Sequence, residues 1–156
     1  MTTPLRAKER LELIAHHAEC ELRRDWEGAL ATMTADPIYV HYPLGLRIRG
    51  REAVVEQWKR LVALPGFAEM VTSATVRNWV LDDLAVSMYE WLIDLGDGQS
   101  VAKNSYAVFR FVDGLIESET IYANSETDAV MRPAFGEDFL ALPGVERLEE
   151  AELPGP

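Results

Sequence analysis

Residues 101–124 read VAKNSYAVFRFVDGLIESETIYAN. Two runs rich in Val, Ile, Phe, Tyr and Thr flank Asp113-Gly114. Asp-Gly is the strongest two-residue hairpin signal, because a type I′ turn needs positive φ at both central positions. Each strand carries a polar residue where the alternation places a core residue: Lys103 on the first and Glu119 on the second. The hairpin is expected to form the floor of a small-molecule pocket, with the preceding helices as its roof.

Working backwards, the strand pattern continues. Residues 69–81 read as one strand and residues 84–95 as another, with turns at Asp82-Asp83 and Gly96-Asp97-Gly98. Together with the hairpin they make an antiparallel meander of four strands. Upstream the period becomes helical. Leu11, Ile14, Ala18 and Leu22 recur on one stripe of a helix over residues 5–24. Trp26, Ala29, Leu30 and Met33 suggest a second, shorter helix, stopped before Pro37, since the residue preceding a proline avoids helical backbone. Residues 38–42, IYVHY, form a short strand broken by Pro43 and Gly45, with residues 46–48 returning. Gly50 opens a third helix, whose buried stripe is Val54, Val55, Trp58, Leu61 and Val62 and which ends at Pro65-Gly66. Helices gathered on one face of an antiparallel sheet make an α+β domain. A long twisted sheet curling around them leaves a cone-shaped cavity, the kind of concave site where ligands sit. One domain over residues 1–125 is expected. Residues 126–156 form a tail that is partly packed, through a short helix ending at Met131 and through Phe135 and Phe139, and otherwise loosely held.

The totals agree. A chain of 156 residues, 48% hydrophobic and 26% charged, is one ordinary globular domain. A net charge of -11 argues against nucleic acid and anionic membrane surfaces as partners. No apolar run approaches the roughly twenty residues that span a bilayer. The N-terminus becomes charged and helical at once, with no signal-peptide core. The single Cys20 excludes an internal disulfide. Both fit a cytoplasmic location.

Three segments resemble, in order, the SnoaL-like branch of the nuclear transport factor 2-like superfamily. They are DWEGALATMTADPIYVHYP (residues 25–43), GLRIRGREAVVEQW (45–58) and FRFVDGLIESETIYAN (109–124). The resemblance spans roughly residues 10 to 125 and implies the cone-shaped fold, three N-terminal helices packed on a curved antiparallel sheet. It also implies a homodimer. The family holds polyketide cyclases, ketosteroid isomerases, dehydratases, epoxide hydrolases and non-catalytic binding domains. The isomerases' general-base Asp falls on Tyr42 here, and their oxyanion-hole Asp on Ala107. Their oxyanion-hole Tyr falls nearest His17, and a second pocket tyrosine on Trp58. The cyclases' inward His and acid fall on Glu119 and Ile121. Neither pattern is complete, so the resemblance implies the fold and leaves the reaction open.

It also sets strand faces. Ala107, Phe109 and Lys103 face the cavity, as do Glu119 and Ile121 across the hairpin and Met88, Glu90 and Leu92 on the preceding strand. Glu90, Lys103 and Glu119 then meet on the concave face. Two carboxylates beside one amine in an apolar pocket shift one another's pKa values, which makes a general acid or base near neutral pH. The alternatives are a structural ion pair, or a one-residue register slip that puts all three in solvent. His17 supplies an acid, base or donor from the helix side. His41 and Tyr42 alternate, so one of them points inward; the isomerase comparison favours Tyr42, imidazole chemistry His41. Trp26, Trp58 and Phe109 line a pocket for a hydrophobic or aromatic ligand, or are plain core. Tyr89, Trp91, Tyr106 and Tyr122 share the convex face and form the dimer surface. Adjacent helical residues point about 100° apart, so His16, His17 and Cys20 do not make a metal site, and no other ligands lie nearby. No cofactor motif is present. The expected function is cofactor-independent acid–base chemistry of cyclase, isomerase or dehydratase type on a hydrophobic or polycyclic substrate. Glu119 and Lys103 are the reactive pair, with His17 or Tyr42 as donor. The alternative is a non-catalytic ligand-binding or dimerisation domain of the same fold.

Overall fold

The computed structural model describes residues 6–42, 44–96 and 98–149. The helix start at Leu5, the breaks at Pro43 and Asp97 and the last stretch, residues 150–156, lie outside them. Helix α1 (Ala7–Leu22) is followed by α2 (Trp26–Ala31), whose first turn is capped by Asp25, the side chain accepting from the Gly28 N–H at 3.0 Å. Strand β1 (Met33–Tyr42) pairs antiparallel with β2 (Leu46–Arg49). β1 is longer than IYVHY because the chain extends through Pro37, where its pairing with the sheet is interrupted between Met33 and Ile38. Gly50, at φ 88°, turns the chain into α3 (Arg51–Ala63).

Residues 69–81 are not one strand. Residues up to Ser73 form helix α4 (Phe67–Ser73), and β3 is confined to Thr75–Val80. Gly66 in left-handed backbone opens α4, and Ala68, Glu69 and Met70 are strong helix formers that outweigh the β-branched Val71 and Thr72. β4 (Leu84–Gly96), β5 (Gln99–Val112) and β6 (Leu115–Ala123) follow. Asp113 and Gly114 have φ of 52° and 81°, both positive, as the type I′ hairpin requires.

Among the described residues the sheet has seven strands in the order β3-β4-β5-β6-β1-β2-β7, antiparallel except where β6 meets β1. Helix α5 (Ser125–Met131), a short 3-10 turn, α6 (Glu137–Leu140) and β7 (Val145–Arg147) are the last elements among the described residues. Asn124 caps α5, its side chain accepting from the Thr127 N–H at 3.0 Å. Met131, Phe135 and Phe139 enter the same core as Ile14, Trp58 and Phe109. β7 adds to the sheet edge at β2. A side chain on Gly144 would stand 2.2 Å from the Arg49 carbonyl oxygen, so only glycine lets that segment approach. The α+β class and the helix-on-curved-sheet architecture agree with the sequence reading.

Two single-residue bulges decide which side chains face inward. At the β4–β5 turn Gly96 lies opposite Gln99, a register that carried onward sets Met88 opposite Ala107. The pairing shifts by one between Asp94 and Gly96, and Ser87 sits opposite Ala107 instead. On β6 a second shift lies between Ile116 and Ser118, and it sets Glu119 opposite Phe109. One residue of slip moves a whole strand's side chains to the other face.

Candidate functional site

Strands β1 and β6 run side by side, with Tyr39 next to Glu119 and His41 next to Ile121. Above them α1 presents His17 and Glu21, four residues apart and therefore on one helix face. α3 contributes Trp58 and Gln57. These elements enclose a cavity of about 110 Å³, with an apolar wall of Ile14, Trp58, Leu61, Phe109 and Ile121 and a polar end of His17, Glu21, Tyr39 and Glu119.

The polar end is one hydrogen-bonded cluster. The Thr32 hydroxyl donates to the Ala29 carbonyl at 2.6 Å, so its oxygen accepts from His17 Nδ1–H, also at 2.6 Å. The other ring nitrogen, Nε2, lies 2.9 Å from Glu21 Oε1 and 2.9 Å from the Tyr39 hydroxyl. A lone pair facing a carboxylate oxygen at that distance requires a proton between them. His17 and Glu21 therefore share a proton. Trp58 Nε1–H donates to the Tyr39 oxygen at 3.2 Å, and the Tyr39 hydroxyl donates to Glu21 at 3.0 Å. Glu119 is also within hydrogen-bonding reach of Tyr39. The one phenolic proton serves only one carboxylate at a time.

Charge follows from this crowding. Burial, then the nearby Glu21 carboxylate, pushes the Glu119 carboxyl up to about 7, against the smaller opposing pull of His17 and Tyr39. Burial disfavours the imidazolium of His17, but the carboxylates of Glu21 and Glu119 outweigh it and its pKa is raised. Burial and the two carboxylates hold the Tyr39 phenol protonated, well above the ordinary value. His41, buried and accompanied by Gln57 Oε1 at 3.0 Å, is driven down to about 4 by desolvation and is neutral. Glu119 is thus the group at the cavity wall that gains and loses a proton near neutral pH.

Glu119, His17, Trp58, Ala107, Phe109 and Ile121 all line the cavity. Eight expected positions need correction. Tyr42 points to the convex face, where its ring stacks on Tyr122 at 5.1 Å. His41 takes the inward direction, and Tyr39, two residues earlier, brings the phenol to the site. Glu90 is opposite Asn104 on the convex face, a consequence of the β4 bulge. Met88 and Leu92 go with it. Lys103 does share the concave face of Ser105 and Ala107, but it lies six residues along β5 from Phe109, about 20 Å of strand, and cannot pair with Glu119. Trp26 stacks behind Trp58 at 6.3 Å and does not reach the cavity. The same bulge turns Tyr89 and Trp91 inward to line the cavity, which removes them from the convex surface.

Sequence reasoning missed Glu21, Tyr39 and Gln57. The signal for Glu21 was its spacing of four from His17. Tyr39 carried none, because β1 offers apolar side chains to both faces. Among the described residues, His17, Glu21 and Glu119 also bring three metal-ligand-type atoms within 4.8 Å of one another. The neighbours of His16, His17 and Cys20 in the sequence do not reveal this group, because Glu119 arrives from about a hundred residues away. In the structure His17 and Glu21 share a proton, and Glu119 reaches the hydroxyl of Tyr39. No helix among the described residues is long and apolar enough to cross a membrane.

Comparison with known proteins agrees with this architecture. The SnoaL-like domain model matches residues 14–119, more than half of the chain. No curated protein sequence matches. Among solved structures, a nuclear transport factor 2-like protein of unknown function from Burkholderia pseudomallei K96243 is similar over 79% of this chain and 97% of its own, at 18% identity and a TM-score of 0.54. A candidate polyketide cyclase from Xanthomonas campestris pv. campestris is similar over 80% and 97%, at 22% identity and a TM-score of 0.56. TerC, co-crystallised with polyporic acid, is similar over 80% and 98%, at 17% identity and a TM-score of 0.54. Such identities establish the fold alone. The chain belongs to the SnoaL-like family.

Proposed function

We propose that this SnoaL-like chain is a small-molecule enzyme that moves a proton on a largely apolar substrate without a cofactor, in a cyclisation, isomerisation or dehydration. The observation that carries this is Glu119 in an apolar cavity, raised to about 7 and held by a network that is otherwise internally satisfied. A carboxylate tuned close to the working pH is the most effective proton-transfer group. Ionised Glu119 takes a proton from carbon next to a carbonyl, and the C–H electron pair moves onto the carbonyl oxygen as an enolate. The protonated carboxyl then returns the proton to a second atom. Tyr39 orients Glu119, and the His17–Glu21 pair sets the charge that Glu119 feels. His17 is a positioning residue, since both its ring nitrogens are engaged within the protein.

The candidate polyketide cyclase and the polyporic acid bound to TerC support a small organic ligand for this cavity. A second reading, a non-catalytic binding domain, draws on Tyr42 and Ala107 standing where the isomerases carry acids. A thermal-shift screen against apolar ketones identifies a ligand, and the wild type should turn it over. Glu119→Gln should bind it normally and lose turnover by about 10²–10⁴-fold. Full turnover by Glu119→Gln refutes the role of Glu119, and binding without turnover by the wild type favours the second reading.

A further inference from the structure

Outside the cavity lies a larger groove of about 520 Å³ between α1, α4 and the β3–β4 edge. Its walls are mostly aliphatic: Leu11, Ala15, Ala18, Leu22, Val71 and Val76. Ala18, Leu22 and Val71, with Ile14 and Tyr89, line the cavity as well. The two spaces therefore share a wall, and one of its residues, Val71, belongs to α4. That helix has no buried residue and follows Gly66 at φ 75°, so it is the least anchored part of the wall.

We propose that the groove is the second half of the same binding site and takes the aliphatic chain of an elongated amphiphile whose functional head lies at Glu119. This rests on the proposed role of the cavity and names its ligand class. Length follows from the two spaces lying side by side along the Ile14, Ala18 and Leu22 stripe of α1, which lines both. A head without negative charge follows from the cavity's polar end, where Glu21 and Glu119 repel an anion. An aliphatic tail follows from the groove's mostly aliphatic lining, against which hydrocarbon is favourably buried. Val71 and Tyr89 move aside to let the chain pass from one space to the other.

The test uses the intact protein and unbranched 2-alkanones from 2-pentanone to 2-undecanone, with binding followed by titration calorimetry. Each added methylene should tighten binding by about fourfold until the groove is filled. Ala15 is exposed and lines only the groove, so Ala15→Phe should leave 2-pentanone binding unchanged and abolish the gain from the longer chains. Val76→Arg, also at an exposed groove position, should do the same and guards against a misfolded first variant. Affinity that stops rising at 2-hexanone, absence of binding across the series, or a chain-length series unchanged in both variants overturns the proposal. Glu119→Gln should keep the full chain-length series. Binding therefore fails or succeeds independently of turnover, and the two proposals fall separately.

Discussion

His17 Nε2 lies 2.9 Å from Glu21 Oε1, one turn further along the same helix, and both meet the hydroxyl of Tyr39 from the sheet below. This contact sets the chemistry of Glu119. The shared proton makes the pair neither a free imidazole nor a free carboxylate, and Glu119 feels the difference between a repelling Glu21 and an attracting His17. Repulsion and burial win, so Glu119 stays protonated well above its ordinary range.

A pH-dependent stability follows. The Glu119 carboxyl ionises near 4.5 in the unfolded chain and at about 7 in the folded one, so the folded state holds more protons between those values. Stability is greatest below pH 4.5 as far as this group is concerned, falls as pH rises through the window, and levels off above 7. The raised His17 pKa works in the same sense. Glu119→Gln removes the buried charge and should raise the melting temperature at pH 8 by several degrees while leaving it nearly unchanged at pH 5. Thermal denaturation at the two pH values measures this, and an equal effect at both would refute it.

Tyr39→Phe removes a hydroxyl that stabilises the ionised Glu119. The Glu119 pKa should rise further, and the pH at which a carboxylate-dependent activity reaches half its maximum should move upward. Trp58 Nε1–H loses its acceptor, which should cost about 1 kcal/mol in stability. A pH–rate profile unchanged from the wild type would exclude Tyr39 from the network.

Lys103→Ala and Glu90→Ala should each leave turnover within about twofold, since neither side chain lines the cavity. A loss comparable to that of Glu119→Gln would mean that the two strands rearrange on binding.

Across three strands of the convex face, Tyr42, Tyr122 and Tyr106 form a ladder, with Tyr106 39% and Tyr122 40% exposed. Leu92, 74% exposed, and Trp79, 49% exposed, lie on the same face. We propose that this face joins two copies of the chain, because a monomer rarely leaves so much apolar surface in water. Sedimentation should give twice the 17.5 kDa chain mass, and Leu92→Arg with Tyr106→Arg should halve it. A monomeric wild type would refute the interface.

Local order was legible because local chemistry fixes it. Asp113-Gly114 specifies its turn through backbone conformation alone, the α1 and α3 stripes follow from helical spacing, and the segment order implies helices over an antiparallel sheet. Glu119 stood out because a polar residue in an apolar strand pattern is conspicuous, and His17 through the family resemblance. The partners were not, because they depend on which strand face meets which helix. A bulge at one end of β4 reversed Glu90, Tyr89 and Trp91, and a bulge on β6 placed Glu119 inward. Each is a single residue, and a strand that is apolar on both faces carries no pattern to reveal the slip. The sequence by itself determined the fold and the presence of a titratable pocket floor. Tertiary structure decided that Glu21 and Tyr39, rather than Glu90, Lys103 and Tyr42, surround it, because their distances are set by pairing between segments far apart in the chain.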